Sequence, residues 1–255
     1  MRSIAAESAK LKYPPLGLYR SDGPAPGSKQ FSETAKFKPS GACSMTLVEK
    51  AFKDGTPCAF STGTVHCLGG IRGFGLAPPA FSPPGGAMGS VRLVSSGNSR
   101  CEEGRAALDE LKALGATAER LELFSEGEGF KRDPELLAAS FAVMPKIPPI
   151  EGCLNLAPLS GLKAPPEVVV FLADAQQLSA LTVLAGYSRP GFDHVAVPFC
   201  AACMAIAVFP LAERGKPSPK AIVGLMDVHA RKIMRRLVGR DLVTFSVPWE
   251  MFEEM

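Results

Sequence analysis

Apolar positions along the chain fall into runs of two periods. Met45, Leu47, Val48, Ala51 and Phe52 recur at helical spacing after Ser40-Gly41, and Asp54-Gly55 closes the run with a residue suited to a left-handed helix end. A helix is therefore expected from Cys43, with Cys43 in its first turn. Pro165-Pro166-Glu167-Val168-Val169-Val170-Phe171-Leu172-Ala173 is a continuous apolar run, the pattern of a strand buried on both faces. Asp174 follows as a helix cap, and Leu178, Leu181, Val183 and Leu184 predict a helix ending near Gly186.

Shorter signals fill the rest. Leu16 to Tyr19 reads as a strand opened by Pro14-Pro15, and Glu102 to Leu114 as an exposed helix with Leu108, Leu111 and Leu114 inward, closed by Gly115. Pro134 to Met144 is a second short helix, and Pro145 to Pro149 marks a boundary. Val195 to Val197 is a short strand leading through Phe199-Cys200-Ala201-Ala202-Cys203 into an apolar helix that ends at Arg214-Gly215. Val228 to Leu237 is a basic amphipathic helix, and Leu242 to Val247 the last strand.

Strand followed directly by helix implies an α/β fold, with a mixed α+β arrangement as the alternative. The expected organisation is a single domain over 1–255. Within it, 14–76 and 165–248 echo one another around a helical and loop insert, 77–150. Each half begins Pro-Pro before a strand; Cys43 precedes Gly55 by 12 residues, and Cys203 precedes Gly215 by the same 12. The two cysteines would then occupy equivalent helix starts, where unpaired N–H groups and a positive dipole end gather.

Composition narrows the function classes. At 255 residues with 46% hydrophobic and 21% charged residues, the chain has the mixture of an ordinary globular protein. A formal net charge of +3 is too small for a nucleic-acid footprint, and the cationic helix with Arg231, Lys232, Arg235 and Arg236 has no interleaved aromatics. No nucleic-acid partner is expected. The N-terminus lacks an apolar stretch of signal-peptide length, and no segment approaches a membrane span, so a soluble cytoplasmic protein is expected. Seven cysteines, irregularly spaced, then point to a metal, a cluster or redox chemistry rather than to disulfides.

Cys200-x-x-Cys203 is the sharpest local motif, because two thiols three residues apart at a helix start can face one metal, and the helix dipole lowers their pKa. A zinc ribbon needs a second such pair, whereas Cys43 and Cys67 are separated by 23 residues. Iron–sulfur clusters accept thiolates from scattered positions. The expected ligand set is Cys43, Cys67, Cys200 and Cys203, holding an iron–sulfur cluster, with zinc as the alternative. Gly69, Gly70, Arg72 and Gly73 form a Gly-rich turn that can cradle a phosphate or a planar cofactor, with Arg72 as anion partner, although it matches neither a P-loop nor a dinucleotide fingerprint. Tight packing is the competing account of these glycines. His66 is a possible fourth ligand; His194 and His229 stand alone, and Cys58, Cys101 and Cys153 lack partner motifs.

Taken together, the Cys43-led helix, Cys67 with Gly69, Gly75 and Leu76, the strand Pro166 with Val168 to Val170, then Gln177 and Leu178, a cysteine at Cys200 or Cys203, and Pro248 resemble one family. It is the domain-of-unknown-function 169 family, the uncharacterised ArCR group, and the likeness runs from about Leu16 to Val247. No single motif is specific; their order and spacing carry it. The chain departs from the family pattern at Ala221 to Val228, where relatives often have a Cys and a Gly-x-Arg turn, and Pro78 to Gly104 is peculiar to this chain. The family implies no assigned activity. Two functions stay open: a redox or cofactor-linked protein binding a metal or iron–sulfur centre, with a small molecule or redox partner, and a metal-free small-molecule binding or sensory protein whose Gly/Cys-lined pocket lies between its halves.

Overall fold

The structure, a computed structural model, describes residues 3–30, 43–65, 68–76, 98–100, 102–113, 115–127, 129–227, 230–231 and 241–255. It is a mixed α/β fold around a seven-stranded sheet. The strands are β1 (Leu16–Ser21), β2 (Cys58–Phe60), β3 (Cys153–Pro158), β4 (Val168–Ala173), β5 (Val195–Ala196), β6 (Ala221–Val223) and β7 (Val243–Pro248), in the order β2-β3-β1-β4-β7-β6-β5. All neighbours are antiparallel except β5 and β6. The sheet is thus mostly antiparallel, not the parallel array that strand-then-helix units suggest.

The central strand β4 explains the layering. Its Val168, Val170 and Leu172 enter one apolar cluster while Val169, Phe171 and Ala173 enter another, so both faces are buried, as the unbroken apolar run predicts. The first face is covered by α2 (Met45–Asp54), α3 (Leu68–Gly73), α8 (Ala202–Ile206) and α9 (Val208–Glu213). The second is covered by α1 (Ile4–Ser8), α7 (Ala175–Tyr187) and α10 (Trp249–Phe252), where Phe171 meets Phe245 and Phe252 at centroid distances of 6.4 and 6.0 Å. The segment preceding β3 supplies α4 (Glu102–Ala113), α5 (Ala118–Glu126) and α6 (Pro134–Ala142).

Local signals set most boundaries. Asp174 closes a capping box with Gln177 at the start of α7, and Gly55 ends α2 at φ 66°, a left-handed value that glycine adopts without cost. Several expectations need correction. Cys43 precedes α2 rather than lying in its first turn, since Ser44 is the N-cap. The apolar run after Cys200 is broken at Ala207 into α8 and α9. β2, β3, β6 and α5 carry no pattern distinctive enough to predict, and most of the basic helix expected at 228–237 lies outside the described residues.

One ion-pair network ties the sheet to α9. The Glu167 carboxylate accepts from Arg20 at 2.5 Å and from Arg214 at 2.7 Å, and Arg214 also reaches Glu250 at 3.2 Å. Burial alone would raise the Glu167 pKa, but the Arg20 hydrogen bonds and the two guanidinium charges outweigh it and hold the carboxyl below its ordinary value. A carboxyl with a depressed folded pKa contributes stability above its unfolded pKa and loses it as pH falls through the folded value. Glu167→Gln should therefore lower the melting temperature at pH 7, and the gap to the unaltered protein should narrow as pH falls below about 4. Thermal unfolding followed by circular dichroism across that range checks it; a gap independent of pH would refute the assignment.

Candidate functional site: the meeting of three helix starts at α3

The Gly-rich stretch expected as a turn is a helix. Gly69, Gly70, Arg72 and Gly73 all lie in α3, which ends through Gly75 at φ 72°. Glycine lowers helix propensity by about 1 kcal/mol relative to alanine, so tertiary packing must favour it here. The packing is plain at Gly73: a Cβ there would overlap Cys203 Sγ and come 3.1 Å from the Met204 backbone nitrogen. At Gly70 a Cβ would stand 2.7 Å from Ser44 Oγ and 3.1 Å from Val65 Cγ1. The cradle expected for a phosphate is filled by protein atoms at these two positions. Arg72, expected as an anion partner, places its guanidinium 5.5 Å from the ring centroid of Phe141, a cation–π contact. Beyond α3, Phe74 stacks on Phe60 of β2 at 4.3 Å and fixes the end of the helix against the sheet.

Two chain segments thus come down on one turn of α3. Ser44, the N-cap of α2, is 1% exposed and presses on Gly70; its hydroxyl makes no capping bond. Cys203, in the first turn of α8, donates its thiol proton to the Gly69 carbonyl at 3.2 Å. Cys43 packs against the same apolar cluster that contains Cys203. Cys200 does not: it belongs to a neighbouring cluster with Met204, Ala205 and Ile222. The Cys-x-x-Cys pair is split because α8 begins at Ala202, between its two members.

The thiol chemistry also differs from expectation. Burial first, and then the nearby Asp227 carboxylate, push the Cys200 thiol up to about 12. Cys200 lies ahead of the helix rather than in its first turn, so the lowering expected from a helix dipole gives way to a raised value set by desolvation. Burial likewise pushes Cys58 up to about 12 and raises Cys153. Cys58 faces the core from β2, and Cys153 opens β3. Cys67, His66, Cys101 and His229 lie outside the described residues. Among the described residues, no three His, Cys, Asp or Glu side chains are grouped so as to hold a metal ion, and no helix is long and apolar enough to cross a membrane.

One residue was missed by the sequence reading. Asp227 is 6% exposed, and its two carboxylate oxygens accept from Ala202 N at 3.1 Å and from Ala230 N at 2.7 Å. An aspartate just ahead of the amphipathic run from Val228 is an N-cap signature that was there to be seen.

Helices on both faces of a mixed sheet define an α/β protein in which the segments that carry Cys43 and Cys203 meet a glycine-faced helix. Residues 6–255 match the model of the DUF169 family, described as uncharacterised ArCR, and the chain belongs to that family. No curated protein and no solved structure matches the chain.

Gly73→Ala should lower stability by about 1–3 kcal/mol, the usual cost of overpacking, because one of the atoms in the way belongs to the backbone. Urea unfolding measures this. A gain in stability, alanine's better helix propensity unopposed, would mean that α3 and α8 are not in close contact.

Proposed function

We propose that the α3 junction holds a thiophilic metal centre, an iron–sulfur cluster or else zinc, ligated by Cys43, Cys67 and Cys203, for a redox or cofactor-linked role. The observation that carries this reading is that one turn of α3 is touched by both of the other cysteine-bearing segments. Cys203 bonds Gly69, two residues after Cys67 in sequence, and Ser44, adjacent to Cys43, packs on Gly70. Chain segments distant in sequence that meet at one helix turn are the form a scattered thiolate site takes. The small face of α3 at Gly69, Gly70 and Gly73 then serves to let the sulfurs approach, and Arg72 is the adjacent cation. Cys200, the fourth candidate, fits this centre least, since it packs in the neighbouring cluster beside Asp227.

We further read the fold as an internal duplication, a reading that pairs the α2 and α8 starts. The order β2-β3-β1-β4-β7-β6 reads alike from both ends when β1 is matched with β4, β2 with β6 and β3 with β7. A left-handed glycine follows the helix before β2 and the helix before β6, Gly55 at φ 66° as the C-cap of α2 and Gly215 at φ 71° one residue past the extended C-cap Arg214 of α9. The third strand ends at a proline opening a short helical turn, Pro158 and Pro248, with φ −51° and −52°. In this reading Cys43 and Cys203 are equivalent positions that meet across the duplication.

Anaerobically purified protein should carry near-stoichiometric iron with charge-transfer absorption, or zinc without colour, by elemental analysis and spectroscopy. Cys203→Ser, Cys67→Ser and Cys43→Ser should each lose most of the metal, while Cys58→Ser and Cys153→Ser keep it. A folded, metal-free protein sinks the proposal and leaves the metal-free binding function in its place.

A further inference from the structure

The segment after β6, Gly224 to Asp227, is braced along α8 at two points. Gly224 lies against Ala205, where a Cβ would come 2.6 Å from the Ala205 Cβ and would overlap Thr244 Oγ1; its N–H donates to the Thr244 carbonyl at 2.9 Å. Three residues on, Asp227 Oδ2 accepts from Ala202 N at 3.1 Å, three residues back along α8. The loop therefore runs beside one turn of the helix in the opposite sense. Between the two contacts Leu225 stands at φ 64° and is 2% exposed, a left-handed backbone that a non-glycine residue keeps only where its surroundings enforce it. The other carboxylate oxygen, Oδ1, accepts from Ala230 N at 2.7 Å, and Arg231 N donates to the Asp227 carbonyl at 3.1 Å.

A simple helix cap requires one carboxylate oxygen and no strained neighbour. Here a single buried side chain caps two helical segments at once, and α8 begins one residue before Cys203. We infer that Asp227 is the positioning residue of the thiol junction: by fastening the start of α8 to the segment entering at Ala230, it sets where Cys203 stands against α3. The inference rests on the metal reading only for its consequence, that Asp227 would fix the geometry of one ligand; the brace itself stands on its own contacts.

Asp227→Asn is the informative change. The amide keeps the size and one acceptor, but it turns an NH₂ toward one of the two backbone N–H groups and breaks that half of the brace. Alkylation of the full-length, chelator-treated chain by iodoacetamide, resolved residue by residue with mass spectrometry, reads the outcome. Cys58, buried on β2 in the same core, is the internal control for global unfolding. The expected result is a rise of tenfold or more in the rate at Cys203 with the rate at Cys58 unchanged. Equal rises at both cysteines would make Asp227 a general stabiliser, and no rise at Cys203 would dissolve the brace; either result overturns the inference. Should Asp227→Asn fail to fold, amide hydrogen exchange on the unaltered chain decides. Ala202 and Ala230 should exchange within tenfold of each other, as two N–H groups on one carboxylate opening together, and a wider gap refutes the shared brace. Metal content plays no part in either readout, so the brace and the metal centre can fail separately.

Discussion

The antiparallel seam between β1 and β4 holds the two parts of the chain together. Leu16, Gly17 and Leu18 pair with Val170, Val169 and Val168, and through these the strands β2, β3 and β1 join β4, β7, β6 and β5 into one sheet. Helices cover β4 on both sides, so its backbone groups have no water to fall back on and the ladder must be complete. Each of its larger apolar side chains contributes about 1.5–3 kcal/mol on burial, more than the roughly 1–2 kcal/mol needed to order a backbone residue. The seam is therefore stable because of what lies above and below it, and the helices on either face depend on it in turn.

The two faces are built differently. On one, aromatic rings of β4, β7 and α10 fill the space with bulk, and side-chain size sets the distance between layers. On the other, Phe60 and Phe74 also stack, but at Gly70, Gly73, Ala205 and Gly224 small residues bring backbones close together. Close approach carries an electrostatic cost, since the starts of α2, α3 and α8 each present a positive dipole end. Asp227 answers part of it by placing a carboxylate on the Ala202 N–H. The closeness that makes the junction interesting for thiols is thus the same closeness that calls for a buried anion beside it.

Elements whose order is written in their own residues were legible from sequence: α2, β4, α7 and β7 each have the right period and, for α2 and α7, a recognisable end. Elements that exist because of a distant partner were not. β3 places Asn155, fully buried, in its middle, which argues against a core strand until its partners are known; Oδ1 accepts from Ala25 N at 2.7 Å, and Nδ2 donates to Ser21 Oγ at 2.7 Å. β6 has three residues, too few for any period. The glycines of α3 suggested a turn because glycine disfavours helix locally, whereas what selected them is the bulk of Cys203 and Ser44 arriving from elsewhere. At the site, Ser44 and Cys203, the residues that touch α3, belong to the two segments in which a cysteine stands 12 residues before a glycine, Cys43 before Gly55 and Cys203 before Gly215. The division between Cys200 and Cys203 was invisible, because it depends on α8 starting at Ala202, and that start is fixed by Asp227, 25 residues further on.

The protonation state of the sulfurs separates the two functions left open by the sequence. Burial pushes the thiols of Cys58 and Cys200 up to about 12, and Cys203 holds its proton against the Gly69 carbonyl. A thiol buried as Cys58 and Cys200 are stays neutral unless a cation takes the proton's place. A metal centre at α3 must therefore release protons as it forms, and its affinity must rise with pH as each ligand becomes easier to deprotonate. A small uncharged ligand in the same junction exchanges no proton with the sulfurs and leaves them as the weakly polar, close-packing groups that neutral cysteines are. Proton release on binding, more than the identity of any residue, is the property by which the junction declares which of the two it is.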